Sequence, residues 1–260
     1  MANIENDIEY QISKFKDLQN NRIEENNKDN ISIMSELAEK LIEITKNTYN
    51  KMAEKYSEVR TMELLEFDKK VWNKLLEYIN KYLGNDYKKL KLLDVGTGHG
   101  RDLKYAFDIG FDAIGVDNSK KFIECLEKLE TNNLIPKNSF CEADMRNLPF
   151  ENNSFDVVRQ QATLLHFPIV EKGYTADKAL EESYRVLKEN GLLYVLVKKG
   201  EGIEYVDTNE GLGGRIFQFY NEKTISDLVE RNGFKIISVT DEEENRKGKI
   251  VEWIMVIAQK

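Results

Sequence analysis

The sequence predicts an α/β protein with a mostly parallel sheet, helices on both faces of that sheet and one reversed strand at or near an edge. Two features carry this prediction. From "KLLDV" to "LLYVLVK", short apolar strands alternate with amphipathic helical patterns, which is typical of βαβ units. At the end of the chain, "FKIISV" and "EWIMVIAQ" are separated only by a short charged segment. A parallel return needs about a dozen residues or more, so this pair should be antiparallel.

The chain before the first strand is predicted to be helical. Apolar residues spaced three and four apart predict helices over residues 4–18, 34–42 and 67–79. The Asn-rich stretch over 20–30 indicates a linker. We therefore expect a helical N-terminal extension or lid over residues 1–48, followed by a second domain over 49–260.

The later elements alternate in order. "KLLDV" leads into a helix from Arg101, and "DAIGVD" leads into the helix "SKKFIECLEKLE". A short strand near "NSFCEAD" and the strand "FDVVRQ" follow. The helix "ADKALEESYRVLK" then ends at Gly191 and opens onto "LLYVLVK". Helices between successive strands are what place the strands parallel to one another.

Composition narrows the class of partner. The 260 residues carry 46 acidic and 38 basic side chains, a formal net charge of −8, and no basic patch stands out. An acidic chain gains little from counterion release, which argues against nucleic acid. The two cysteines have no metal-binding spacing, and the first residues do not resemble a signal peptide. No apolar stretch has the length of a membrane span, so we expect a cytoplasmic protein that binds a small molecule.

The loop after the first strand is glycine-rich without being a phosphate loop. "LLDVGTGHG" places glycine at 96, 98 and 100, and Arg101 stands where a dinucleotide fingerprint has its last glycine. This loop also lacks the Gly-Lys-Ser/Thr sequence of a P-loop, which binds nucleoside triphosphates. Neither type of phosphate site fits, although a dehydrogenase stays open as a weaker alternative.

Two acidic positions after later strands indicate a nucleoside. Asp117 ends the second strand and is placed to accept hydrogen bonds from both ribose hydroxyls. Asp144 follows the third strand, where it could accept from an exocyclic amine while Met145 packs on a base. A ribose acceptor and a base reader without a phosphate cradle indicate S-adenosylmethionine.

Five segments in this order resemble the successive motifs of class I S-adenosylmethionine-dependent methyltransferases. They are "LLDVGTGHG", "GVDNS", "CEADMRNLPF", "FDVVRQQATLLHF" and "ESYRVLKENGLLYVLV". The resemblance covers Tyr49 to the carboxyl end. It implies a Rossmann-like, seven-stranded, mostly parallel sheet with one antiparallel strand, S-adenosylmethionine as cofactor and no metal. The cofactor-binding residues that we predict are Asp94, Gly96, Thr97, Gly98, Gly100, Arg101, Asp117, Asn118, Asp144, Met145 and Gln160.

A further set of residues is predicted to contact the methyl group and its acceptor. "YNKMAEKYSEVR" resembles a Tyr-x-x-x-Ala-x-x-Tyr segment in which a tyrosine closes over the donor, and this assigns Tyr49 and Tyr56 to the site. His166 follows the fourth strand and is either a general base or a structural histidine. Arg215 is either a clamp on an acidic acceptor or a loop-anchoring ion pair. Arg159 stands where a similar bacterial branch tends to carry tryptophan, and we place it in the acceptor site.

The function that these residues predict is methyl transfer from S-adenosylmethionine to an oxygen or nitrogen atom of a small molecule. Tyr56 and His166 are the candidate catalytic residues, and Tyr49, Arg159 and Arg215 the candidate acceptor-binding residues. Arg101 could pair with the methionine carboxylate or with a surface acid. The alternative is a non-catalytic module that binds S-adenosylmethionine or a protein partner. The sequence leaves the acceptor and the oligomeric state open.

Overall fold

The computed structural model describes residues 2–21, 28–59, 61–170, 173–208 and 211–260. Its helices are α1 (Ala2–Asn21), α2 (Lys28–Val59), α3 (Glu66–Tyr82), α4 (Arg101–Asp108), α5 (Lys120–Thr131), α6 (Thr175–Val186) and α7 (Glu222–Arg231). Its strands are β1 (Lys91–Val95), β2 (Asp112–Asp117), β3 (Phe140–Glu142), β4 (Phe155–Gln161), β5 (Leu187–Lys198), β6 (Ile203–Asp207), β7 (Gly214–Gln218), β8 (Lys235–Arg246) and β9 (Lys249–Gln259). Most of the predicted linker, residues 22–27, lies outside the described residues.

The main sheet has the predicted topology. Within the described residues, seven strands pair in the order β3-β2-β1-β4-β5-β9-β8. Only β9 is reversed, because it pairs antiparallel with both β5 and β8 while the other neighbours are parallel. The chain moves outward from β1 to β3 and then returns to the other side of β1 at β4. Ligands of open α/β sheets bind at such a switch point, beyond the carboxyl ends of the strands.

Helices cover both faces of the sheet, as predicted. Right-handed crossovers place α4 and α5 on one face and α6 and α7 on the other, because the chain moves in opposite directions from the switch point. The central strands are buried on both sides, and their side chains form one core with the helices. The faces of β4 differ nevertheless: Arg159 contacts α4, whereas Gln160 contacts α6.

Helix α1 and the first half of α2 pack against the β6–β7 hairpin, whereas Ile42 of α2 belongs to the main core. A second apolar cluster joins Ile12 and Phe15 of α1, Met34 and Leu41 of α2, and Ile216 of β7. None of the helices within the described ranges combines the length and apolar character that a membrane span requires. The division that we predicted between residues 48 and 49 falls inside α2 and stays a prediction about function.

Two parts of the predicted organisation are wrong. The sequence predicts no strand between "LLYVLVK" and "FKIISV", but this segment contains the hairpin formed by β6 and β7. The charged segment predicted to join the last two strands is itself strand, and a two-residue turn at Lys247 and Gly248 connects them with positive φ angles of 52° and 85°. The strands continue because Glu242 of β8 is buried and paired with Lys70 and Lys74 of α3. Distant lysines therefore make a charged strand stable.

Candidate active site

A cavity of about 520 Å³ opens at the carboxyl ends of the strands, beneath α2 and the β6–β7 hairpin. A volume of this size lies within the range of about 300–1,000 Å³ that is usual for small-molecule sites. The predicted site residues that line it are Tyr49, Tyr56, Asp94, Gly96, Thr97, Gly98, Arg101, Asp117, Asn118, Met145, Arg159, His166 and Arg215. Three other predicted residues, Gly100, Asp144 and Gln160, do not belong to its described lining.

The glycine loop owes its shape to conformations that favour glycine. Gly96 and Gly98 have φ angles of 71° and 57°. A side chain at Gly96 would overlap Thr163, whereas one at Gly98 would meet nothing within 4 Å. Gly96 therefore allows β1 and β4 to approach closely, and Gly98 leaves room in front of the loop. Gly100 instead packs against Leu126 of α5, which explains its absence from the cavity.

Asp117 is held by the backbone at the end of β2. The Gly98 and Ser119 amides each donate to one of its carboxylate oxygens, both at 2.9 Å. Burial raises the pKa of Asp117 to about 6, although the two backbone hydrogen bonds oppose that shift. Each oxygen keeps capacity for a further hydrogen bond, so the site fits a vicinal diol better than a phosphate.

The side chains that follow β3 line two different pockets. Met145 is buried and lines the main cavity together with Asn118. The Asp144 carboxylate lies in a smaller neighbouring pocket, where Arg146 Nη2 donates to it at 2.7 Å and Nε at 3.0 Å. Burial acts to raise the pKa of Asp144, but the hydrogen bonds and charge of Arg146 outweigh it and keep the pKa low. Asp144 is thus an ion-pair partner at the edge of the cavity.

Gln160 points away from the cavity because side chains alternate along a strand. Its amide donates to Ser183 Oγ of α6 at 2.7 Å, on the opposite face of the sheet. Gln161, the next residue, lines the cavity and donates to Asp68 at 2.9 Å. The polar run "RQQ" contains no signal that says which glutamine faces the site.

His166 is locked between a carbonyl group and a phenol. Its Nδ1 lies 2.7 Å from the Ile216 carbonyl oxygen, which can only accept, so Nδ1 carries the proton. Its Nε2 lies 2.8 Å from the Tyr49 hydroxyl and therefore accepts from it. Burial lowers the pKa of His166 to about 3 and raises the pKa of Tyr49. Both groups are neutral, and the one free lone pair of the imidazole is engaged by Tyr49.

Tyr56 contributes an aromatic wall. Its ring meets His99 and Phe122 edge-on, with centroid distances of 5.6 and 5.8 Å. Burial of Phe122 against Ala53 fixes this part of α2 over the glycine loop. Helix α2 extends beyond the predicted residues 34–42, and Tyr49 and Tyr56, seven residues apart on it, both reach the cavity.

A buried network of charges forms the floor of the site. Arg159 donates to Asp94 at 2.8 Å and to Asp102 at 2.6 Å, and its guanidinium lies 4.5 Å from the Trp72 ring centroid. Burial acts to raise the pKa of both carboxyl groups. At Asp102 the charges of Arg159 and Arg101 outweigh burial and lower the pKa, whereas at Asp94 the pKa is raised. Arg159 thus anchors Asp94 at the end of β1.

Arg101 is held in the same network. It pairs with Asp68 of α3 at 2.8 Å, so its carboxylate partner is buried rather than on the surface. Its Nε and Nη1 atoms are buried and have no hydrogen-bond partner within the described part of the chain. Asp68 and Asp102 were not predicted from the sequence, because neither follows a strand and no motif marks them.

Basic and aromatic side chains line the opposite end of the cavity. They are Lys198 at the end of β5, Arg215 and Phe217 of β7, Arg246 of β8 and Trp253 of β9. Lys198 was missed in the sequence, although its position as the last residue of a predicted strand could have indicated it. Among the described residues there is no group of three or more side chains suited to hold a metal ion.

Comparisons with known proteins agree with this architecture. Residues 93–195 match the model of a family described as a methyltransferase domain. Sterol 24-C-methyltransferase erg6 of Schizosaccharomyces pombe is 27% identical over 164 residues, which cover 58% of this chain and 41% of that protein. The chain spans about two fifths of the first curated relatives that it matches.

Solved structures share the fold over more of the chain. A SAM-dependent methyltransferase from Methanosarcina mazei has a TM-score of 0.59 and 25% identity, with 70% of this chain and 96% of that one covered. Burkholderia thailandensis 1,6-didemethyltoxoflavin-N1-methyltransferase, solved with 1,6-didemethyltoxoflavin and S-adenosylhomocysteine, has a TM-score of 0.58 at 14% identity. The match covers 84% of this chain and 88% of the Burkholderia protein. Residues 93–195 therefore form a methyltransferase domain, and the described chain has the fold of the class I S-adenosylmethionine-dependent methyltransferases.

Proposed function

We propose that this protein transfers a methyl group from S-adenosylmethionine to a small molecule. The observation that carries the proposal is one cavity with two chemically different ends. At one end Asp117, Gly98 and Met145 offer a diol acceptor, open backbone and an apolar surface. At the other end the lining is basic and aromatic. Tyr49 contacts Arg215 on one side and Phe122, which also packs against Tyr56, on the other.

The nucleoside end fits the cofactor by the chemistry of its groups. Asp117 would accept from the ribose hydroxyls, Met145 and Asn118 would contact the base, and Tyr56 would lie against the sulfonium. A cation on an aromatic face contributes about 0.5–2 kcal/mol. Arg101 would bind the methionine carboxylate through Nε and Nη1, since those atoms are buried without a partner in the described residues. The bound cofactor supplies a methyl group already activated by positive charge.

Orientation is the main contribution that this chain would make to the rate. Holding two reactants in line lowers a barrier by roughly 7–11 kcal/mol in favourable cases. His166 would position Tyr49 rather than take a proton directly, because Tyr49 occupies its only free lone pair. The N-terminal helices would exclude water as a lid, which is the role that we propose for residues 1–48.

The acceptor atom is proposed to be oxygen or nitrogen. A relative named for carbon methylation makes carbon the second candidate. We also propose a cytoplasmic protein that does not bind nucleic acid. The two free thiols, Cys125 and Cys141, and the net charge of −8 support that view.

Methyl transfer is tested by incubating the full-length protein with radiolabelled S-adenosylmethionine and a metabolite extract. Labelled small molecules that depend on both extract and active protein are expected, and nuclear magnetic resonance of the product identifies the methylated atom. Tight binding of S-adenosylhomocysteine with no labelled product from any extract would instead support the non-catalytic module. Binding of NAD in place of S-adenosylhomocysteine would support a dehydrogenase.

A further inference from the structure

Lys198 is a cation placed against aromatic rings inside the cavity. It is the last residue of β5, and its Nζ atom lies 3.7 Å from the centroid of Phe217 and 5.9 Å from that of Phe219. Burial lowers the pKa of Lys198 to about 8, and the positive charges of Arg246 and Arg215 add to this effect. The ammonium group therefore stands in a region of positive potential.

Arg215 is a second cation with unused hydrogen-bonding capacity. Its guanidinium lies 5.3 Å from the Tyr49 ring centroid and 5.4 Å from that of Phe217, and Nη1 donates to the Tyr49 hydroxyl at 3.3 Å. Its Nε atom is buried and has no hydrogen-bond partner in the described part of the chain. A planar guanidinium with a free donor is suited to an anion.

The nearby acids do not neutralise these two cations. No carboxylate of the described residues forms an ion pair with Lys198 or Arg215. Glu204 is exposed to solvent. Glu244 already pairs with Arg246 at 2.7 Å and accepts from the Trp253 indole at 3.0 Å. Glu204 and Glu244 act on Lys198 only through space, so two half-buried cations without an ion-pair partner in the described residues are expected to bind an anion supplied by a ligand.

Aromatic rings also border this pair of cations. Phe217 lies beneath both cations, and the Phe67 and Trp253 rings, which also line the cavity, stack with their centroids 6.0 Å apart. An anionic group attached to an apolar or aromatic body matches such a wall better than a free inorganic ion does.

A carboxylate could come from the cofactor or from the acceptor, and the sheet favours the acceptor. Strands β1, β4 and β5 are adjacent, so the end of β5 lies about 10 Å across the sheet from the glycine loop that follows β1. Arg101, near that loop, already offers two unpartnered buried nitrogens for the carboxylate of the cofactor. We propose that Lys198 and Arg215 bind the carboxylate of an apolar or aromatic acid, which is the methyl acceptor. This rests on the proposed methyl transfer.

The test uses the full-length protein saturated with S-adenosylhomocysteine and three pairs of probes. The pairs are benzoate and benzamide, phenylacetate and phenylacetamide, and indole-3-acetate and indole-3-acetamide. Each acid differs from its amide mainly in its negative charge. Calorimetry at pH 7.5 and low salt should show at least one acid binding tenfold more tightly than its amide. If no acid is preferred over its amide, the proposal is overturned.

Charge-matched variants identify the residues. Lys198→Met should reduce the acid-over-amide preference at least fivefold. Lys199→Met removes the same charge one residue along, where Lys199 pairs with Asp241 at 2.5 Å, and should leave the preference unchanged. Equal effects of both variants would mean a general charge effect and would refute the site. Arg215→Gln supplies a second variant should thermal unfolding show that Lys198→Met is misfolded.

A last comparison distinguishes the carboxylate of the cofactor from that of the acceptor. It also distinguishes failure of the anion site from failure of the proposed methyl transfer. S-adenosylhomocysteine and 5′-methylthioadenosine, which lacks the amino acid, should both bind Lys198→Met as they bind the unmodified protein. Selective weakening of S-adenosylhomocysteine would place the cofactor carboxylate at Lys198 and overturn the acceptor site. If S-adenosylhomocysteine never binds, the proposed function fails. The acid and amide titrations on cofactor-free protein still decide whether the anion site exists.

Discussion

Replacing Asp117 with Asn tests the nucleoside end of the cavity. The substitution keeps the shape of the side chain but turns one acceptor oxygen into an NH2 group, which faces either Gly98 or Ser119, both of which donate at 2.9 Å. Hydrogen bonds to a charged group contribute about 1.5–3 kcal/mol. A loss of about 2–3 kcal/mol corresponds to an S-adenosylhomocysteine affinity roughly 30- to 150-fold weaker at pH 7.5.

The same carboxylate should make cofactor affinity depend on pH. Burial raises its pKa to about 6 in the free protein, whereas ribose hydroxyls donating to the ionised form would lower it in the complex. Affinity is therefore close to complete above about pH 7 and falls as the pH decreases through 6. The expected loss is about tenfold at pH 5, because roughly nine tenths of the free protein is then protonated.

The free energy of unfolding should depend on pH in the opposite direction from cofactor affinity. The pKa of Asp117 is raised from 3.8 to about 6 on folding. Its contribution to stability is fully present below about pH 4 and is lost as the pH rises through 6, by about 3 kcal/mol. Because asparagine does not titrate, the free Asp117→Asn protein should lack this decrease in stability between pH 4 and 6, while binding the cofactor less tightly.

The assay is calorimetric titration of S-adenosylhomocysteine between pH 5 and 8, with urea unfolding of the free protein in parallel. Asp112→Asn is the matched control, since Asp112 is the exposed first residue of the same strand. It should change neither affinity nor its pH dependence. An affinity that is flat across this range in the unmodified protein, or equal in Asp117→Asn, would refute the ribose assignment.

Three further substitutions test other parts of the site. Tyr49→Phe leaves the buried Nε2 of His166 without its donor, which should cost about 1–3 kcal/mol of stability and lower kcat more than it raises KM. Arg159→Met breaks a buried pair and should cost about 3–5 kcal/mol in urea unfolding, whereas the surface control Lys188→Met should cost less than about 1 kcal/mol. Gly96→Ala should abolish cofactor binding while the protein stays folded, because the added methyl group displaces the loop.

Each of these has its own contrary result. Normal turnover in Tyr49→Phe would remove the tyrosine and histidine pair from the mechanism. Equal stability losses in the Arg159 and Lys188 variants would mean that burial does not strengthen the Arg159 network. Tight S-adenosylhomocysteine binding by Gly96→Ala would show that the loop tolerates a side chain against β4.

The segments with strong periodicity could be predicted from the sequence because their signals are local. Alternation of strand and helix determined the parallel sheet, and the short final connection determined the reversed strand β9. Asp117 could be placed at the site because it follows a strand, and the carboxyl ends of parallel strands meet at one edge. Glycines 96 and 98 marked the loop for a similarly local reason, their positive φ angles.

Other features depended on residues that are distant in sequence, and only the tertiary structure decided them. Strand β4 is buried on both faces, so the letters "RQQ" do not say that Gln161 rather than Gln160 faces the cavity. Asp144 was predicted to read a base, yet the nearby Arg146 holds its carboxylate at the edge of the site. Lys198 acquires its environment from β7 and β8, and no pattern within β5 encodes those neighbours. Local periodicity determined the sheet, whereas packing between distant elements decided which side chains share the cavity.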